Sequence, residues 1–190
     1  MPAPSSSFAF ETPLGFFAIS WSAAGLTRLV LPEPDLAAAL RRLAGRAAAS
    51  PPELAGEAEL PAVVAGIVAA IRRYASGETV DFSGVAVDLA DADGFRRAIY
   101  DAARGLAQGD AVTYGELARR AGFPDMARET GAALGRNPVP LVIPCYRIVA
   151  AGGKLGGFSA PGGSATKARL LAHERARVPS RDTAQASFVF

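Results

Sequence analysis

The chain contains one cysteine, Cys145, and one histidine, His173. That pair of counts constrains the fold before any pattern is read. An intramolecular disulfide is excluded, and the four nitrogen or sulfur ligands of a usual structural zinc site cannot be gathered. Burial must do the work instead, and the composition supports it: 190 residues, half hydrophobic and a fifth charged, can bury a core in one domain or in two small ones. The cysteine lies in Ile143-Pro144-Cys145-Tyr146-Arg147-Ile148-Val149. An apolar run leads in through Val139, Leu141 and Val142, and another leads out through Ala150 and Ala151. Two readings stand side by side. Free cysteine usually packs as a small buried hydrophobe. A lone thiol with an arginine two residues on is also a candidate nucleophile, and a reactive thiol suits a reducing cytoplasm.

Charge narrows the partners. The formal net charge is +2 and the sequence pI about 9, so there is no global basic field. A nucleic-acid partner would have to be held by a local patch. Met1 to Ser7 lacks the charged start and apolar core of a signal peptide. No apolar run approaches the length that spans a membrane, and no internal repeat at solenoid spacing is found.

Residues 8–21 read as a hairpin, rich in aromatics and turning at Pro13 to Gly15. Gly25 to Leu31 reads as a third strand. An Ala-rich helix is predicted from Leu36 to Ala49, with Arg41, Arg42 and Arg46 exposed and Ser50-Pro51-Pro52 as its stop. A second helix is predicted from Leu60 to Tyr74, with Val63, Val64, Ile67, Ile71 and Tyr74 at three- and four-residue spacing. Val80 to Leu89 reads as a strand or extended connector. The domain boundary is placed near Asp91-Ala92-Asp93-Gly94, with Asp93 capping a helix from Phe95 to Leu106. Thr113 followed by Glu116 is a capping-box signal for a short helix to Gly122. Gly122-Phe123-Pro124 turns, and Met126 to Leu134 forms a second helix. Short helix, turn, helix is the outline of a helix-turn-helix, and equally of an ordinary helical hairpin. Gly152 to Ser164 is a Gly-rich loop without the setting of a dinucleotide or Walker site. A last helix runs from Ala165 to Arg175 with Leu170 and Leu171 inward, and Phe188 and Phe190 end a loosely held tail.

Gly135-Arg136-Asn137-Pro138-Val139-Pro140-Leu141-Val142-Ile143-Pro144-Cys145, followed by Arg147, resembles the active-site region of the O6-alkylguanine-DNA alkyltransferases. So do Thr113 to Ala118, Ala127-Arg128, Gly157-Phe158-Ser159, Lys167 and Leu170 to Glu174, with Thr12 to Gly15 and Gly25-Leu26 matching more weakly. The resemblance implies an α/β first domain over 1–90, with a small antiparallel sheet and helices and ribonuclease H-like. It implies a mostly α second domain over 91–178, with a winged-helix-like helix-turn-helix, and a tail over 179–190. It implies a cytoplasmic, nucleoid-associated monomer that needs no cofactor or metal and acts on double-stranded DNA carrying alkylated bases. The target base is flipped out of the duplex, with Tyr114 crowding its phosphate and Arg128 filling the vacated stack. Cys145 then takes the alkyl group from O6-alkylguanine, with O4-alkylthymine as a second implied substrate, and the protein is consumed. Cys145, Tyr146, Glu174 and Asn137 are the implied catalytic set. Arg136, Arg147 and Glu129 join Tyr114 and Arg128 as the DNA-contacting set, and Val149, Phe158, Ser159 and Lys167 form the base pocket.

Tyr146 and Glu129 depart from the family pattern, as does Ala92-Asp93, where the family commonly has Gly-Thr. Tyr146 stands where the family has the histidine that removes the thiol proton. A neutral phenol is a poor base, though it can relay a proton from Cys145 towards Glu174. Glu129 follows Arg128 where the family generally has a small apolar residue. A carboxylate there repels phosphate, pairs with Arg128 or reads a cytosine amino group. These departures keep rivals in view: a sensor that binds alkylated bases without repairing them, a base-excising enzyme using Glu174 or Asp125, protection against one alkylating natural product, and a plain helix-turn-helix regulator.

Overall fold

The computed structural model describes residues 6–45 and 52–176. They fall into two compact units. The first takes the chain up to Ala90 together with Pro138–Val142, and the second takes Asp91–Asn137 and the chain from Ile143 onward. The later segment joins the first unit through its backbone: the Leu29 N–H donates to the Pro138 carbonyl at 2.9 Å.

The first unit is an antiparallel sheet with helices. Strands β1 (Ser6–Thr12), β2 (Gly15–Ser22) and β3 (Gly25–Glu33) lie in that order. Thr12 pairs with Gly15 across a two-residue turn. Gly15 has φ +126°, and a Cβ there would meet the Glu33 carbonyl oxygen at 2.6 Å, so only glycine fits. Helix α1 (Leu36–Ala44) is capped by Asp35, whose carboxylate accepts from the Ala38 N–H. It buries Ala39 and Leu43 against Ala18 and Val30. Gly45 ends it, so the helix stops before the predicted Ala49; Arg46 and Ser50-Pro51 lie outside the described residues. Helix α2 (Ala62–Ala75) buries Val64, Ile67, Ile71 and Tyr74 as the spacing predicts, but Val63 is 72% exposed, because it precedes that stripe by one position. Residues 80–89 form a connector, held to the sheet by the Leu26–Val87 bridge and by the Ser22 hydroxyl, which donates to the Asp88 carboxylate at 2.7 Å.

The second unit is mainly helical. Helix α3 (Gly94–Arg104) is capped by Asp93, whose carboxylate accepts from the Arg96 N–H at 2.8 Å. It buries Ile99, Ala103 and Tyr100, and the Tyr100 hydroxyl donates to the Ala133 carbonyl. After strand β4 (Val112–Thr113) comes α4 (Tyr114–Arg120). The Thr113 hydroxyl accepts from the Glu116 N–H as expected, while the Glu116 carboxylate turns outward to Arg119 and Arg120. A Schellman cap closes α4: Phe123 N–H bonds the Ala118 carbonyl, Gly122 N–H bonds that of Arg119, and Gly122 has φ +86°. Helix α5 (Ala127–Leu134) packs on α4 and α3. Strand β5 (Ile148–Val149) pairs in parallel with β4, and α6 (Ser164–His173) follows. The tail with Phe188 and Phe190 lies outside the described residues. Among the described residues no helix is long and apolar enough to cross a membrane.

Candidate active site around Cys145

The cysteine is set by two backbone devices. Leu141, in the approach, has φ +80° in a buried side chain, a conformation that costs roughly 1–2 kcal/mol outside glycine and persists only when its surroundings impose it. Pro144 then adopts φ −79° and ψ 65°, and the Cys145 N–H closes back on the Ile143 carbonyl at 2.8 Å. This is an inverse γ-turn. The Asn137 side-chain amide donates to the same carbonyl at 2.8 Å, so both lone pairs of Ile143 are used. Cys145, Tyr146 and Arg147 form one 3-10 turn and lead into β5.

Cys145 is 8% exposed and opens onto a cleft of about 570 Å³. Tyr114 from α4, Arg128 and Gly131 from α5, and Phe158 and Ser159 from the Gly-rich loop line it with the thiol. Gly131 and Gly156 let the Tyr114 ring lie close: Cβ atoms added there would meet the ring at 3.7 and 3.2 Å. The Tyr114 hydroxyl donates to the Gly157 carbonyl at 3.2 Å. Burial raises the Tyr114 phenol above its usual value, and the Cys145 charge adds to the rise. Burial also pushes the Cys145 thiol up, opposed by a hydrogen bond from Asn137 and the charge of Lys167.

The neighbouring residues of the turn enter a different cluster. The Tyr146 hydroxyl donates to Glu174 Oε1 at 2.5 Å. Arg147 forks onto the same carboxylate, Nε to Oε2 and Nη2 to Oε1 at 2.8 Å each, and its Nη1 donates to the Leu106 carbonyl. The Gly109 N–H approaches Oε2 at 3.4 Å. A carboxylate offers about four lone-pair sites, and these four donors fill them. Glu174 is held there as the C-cap of α6. Its Schellman closure puts Arg175 at φ +52°, with the Ala176 N–H on the Leu171 carbonyl and the Arg175 N–H on that of Ala172.

Several sequence expectations change here. Arg147 is only 5% exposed and engaged by Glu174, which removes it from any DNA-contacting set. Val149 is fully buried in the β4–β5 pair, and Ala150 lines the cleft beside it. Lys167 stands behind the cleft, with Nζ over the Tyr114 and Phe158 rings at 5.5 and 5.9 Å. Arg128, Arg136 and Glu129 are exposed. Glu129 forms no ion pair with Arg128 among the described residues, since adjacent positions on a helix diverge. Asp125 sits in the α4–α5 turn at φ +68°, away from the cleft lining. Leu134 and two glycines, Gly131 and Gly156, also line the cleft without a mark in the sequence. Glycines carry no chemical signal, and only the proximity of Tyr114 gives them one. No cluster of three or more His, Cys, Asp or Glu suited to a metal ion occurs among the described residues.

Residues 94–176 match the family model for the 6-O-methylguanine DNA methyltransferase DNA-binding domain. A methylated-DNA–protein-cysteine methyltransferase of Mycolicibacterium paratuberculosis is 37% identical over 129 residues, covering 68% of this chain and 76% of that protein. The chain belongs to this family. A second relative of the same name, from Cricetulus griseus, is 34% identical over 143 residues, covering 73% of this chain and 67% of that protein. Among solved structures, Mycobacterium tuberculosis OGT in complex with DNA superposes with a TM-score of 0.70 at 28% identity, covering 92% of this chain and 95% of that one.

Proposed function

We propose that the protein repairs alkylated DNA by moving the alkyl group of O6-alkylguanine onto Cys145, without a cofactor and once per molecule. The observation that carries this is the placement of the only thiol against an aromatic-walled cleft in a member of this methyltransferase family. The lesion is flipped out of double-stranded DNA, since its alkyl carbon is otherwise inside the stack. Tyr114 and Arg128 act in the flip. Phe158 offers a face to the base, and the backbone near Ser159 meets its edge. The Cys145 thiolate attacks the alkyl carbon: the S–C bond forms, the C–O6 bond breaks, and the electron pair leaves with guanine, which takes a proton. The thioether is permanent, so the protein is a reagent. O4-alkylthymine presents the same leaving oxygen and is a second substrate.

Asn137 braces the turn that aims the thiol, and Arg128 and Arg136 meet phosphate. The first unit is of ribonuclease H-like type and the second carries a winged-helix-like helix-turn-helix, with α5 as the recognition helix. The protein acts as a monomer on the cytoplasmic nucleoid. Base excision is not favoured: Glu174 has its lone pairs filled and Asp125 lies outside the cleft lining. The test is stoichiometry on a duplex bearing O6-methylguanine. Restored guanine should plateau at one per protein with the strand intact, and an abasic product would overturn the reading.

A further inference from the structure

Lys167 has no exposed surface, and it lies four residues into α6. Both facts make it costly: burial penalises an ammonium, and a cation is disfavoured at the positive end of a helix dipole. Its partners are the carbonyls of Ile148 and Gly157 and the faces of Tyr114 and Phe158, none of them an acid. These four partners converge on one place. Ile148 follows the Cys145 turn, and Tyr114, Gly157 and Phe158 line the cleft with the thiol. Burial lowers the Lys167 amine to about 8, and the Cys145 charge raises it in return. Tyr146, in contrast, has its one proton committed to Glu174.

We propose that Lys167 is the positioning cation of Cys145. Its ammonium, held by the Ile148 and Gly157 carbonyls and seated on the Tyr114 and Phe158 rings, stabilises the Cys145 thiolate in a chain with no base beside the cysteine. The inference rests on the alkyl-acceptor role given above. In the step, the thiol proton passes to water, Lys167 stays charged, and sulfur forms its bond to the alkyl carbon. The C–O6 electron pair goes to guanine, which is protonated from water. Cys145 from the 3-10 turn is the titratable group whose charge acts on the ammonium, and Tyr114 from α4 lies against it through its ring; among the described residues β5 and the Gly-rich loop contribute carbonyls and the Phe158 ring.

Alkylation of Cys145 by iodoacetamide in the full chain, followed across pH, reads the thiolate without DNA. Lys167→Met should raise the apparent thiol pKa by about a unit or more and slow alkylation near neutral pH about tenfold, with the fold checked by thermal melting. Superimposable pH profiles would overturn the proposal. A second measurement does not depend on that variant folding. The chain has two lysines, Lys154 and Lys167, so lysine labelled with carbon-13 at Cε gives two signals, assigned by Lys154→Arg. The Lys167 signal should titrate near 8 and shift lower in Cys145→Ser; an unchanged midpoint contradicts the coupling. If the thiol depends on Lys167 but takes no methyl from O6-methylguanine, the proposed function fails and the coupling stands. Transfer with a thiol indifferent to Lys167 removes only the coupling.

Discussion

The three residues of one 3-10 turn feed two unlike polar clusters. Tyr146 and Arg147 enter a closed one, in which a single buried carboxylate receives four donors and the arginine has a further carbonyl. Cys145 enters an open one, where a thiol raised by burial and an ammonium lowered by burial influence each other beside a cleft. The closed cluster fixes geometry, because every lone pair of Glu174 is used. The open one retains reactivity, because neither ionised group is fully matched. Perturbed groups beside a cleft are where chemistry is expected; a saturated ion pair is where rigidity is expected.

The largest effect should come from breaking the closed cluster. Arg147→Met strands the buried Glu174 carboxylate, and removing one partner of such a pair costs about 3–5 kcal/mol. Chemical denaturation should show that loss, and a change below about 1 kcal/mol would mean that the fork contributes little to the fold.

Lys167→Met should do the reverse. The folded-state amine sits near 8, below its ordinary 10.5, so between those values the unfolded chain binds more protons and wild-type stability rises with pH. The thiol has the opposite shift. Its folded value lies above the ordinary 9.0, so its contribution to stability falls with pH beyond that point, and the lysine is read most cleanly from about pH 8 to 9. Lys167→Met should therefore be more stable than wild type at pH 7 by about 1–2 kcal/mol, the relief of the buried charge less the two carbonyls left without a donor. That advantage should shrink as pH rises. A constant difference across pH would show that the ammonium is not strained.

Tyr146→His introduces a base beside the thiol. It should speed transfer near neutral pH by less than Lys167→Met slows it, and an unchanged rate would mean that proton removal does not limit transfer. The smallest effect belongs to the exposed surface. Glu129→Ala should tighten DNA binding about two- to fivefold at low salt, as expected of one screened charge. Weaker binding would instead assign Glu129 a favourable contact with a base.

The same contrast explains what the sequence reveals. The hairpin at Thr12 to Gly15, the Asp93 and Thr113 caps and the α4–turn–α5 outline rest on local rules, and the structure has them where the residues announce them. Tyr146 and Glu174 could be paired from the sequence, and they are hydrogen-bonded. Arg147 reads from the sequence as a DNA contact, because an arginine beside a reactive cysteine carries no mark of burial; the return of α6 buries and engages it. Gly131 and Gly156 were invisible for the same reason, since their role lies in the space left for Tyr114. Long-range packing decides such positions, and no local pattern encodes it.

The proposed repair turns on Cys145 as the alkyl acceptor, with tyrosine as its neighbour. Intact-mass measurement after mixing the protein with duplex DNA bearing O6-methylguanine tests this most directly. The expected result is a gain of one methylene on the wild-type chain, located on Cys145 and absent in Cys145→Ala. An unchanged mass at every pH, with the lesion still bound, would contradict it.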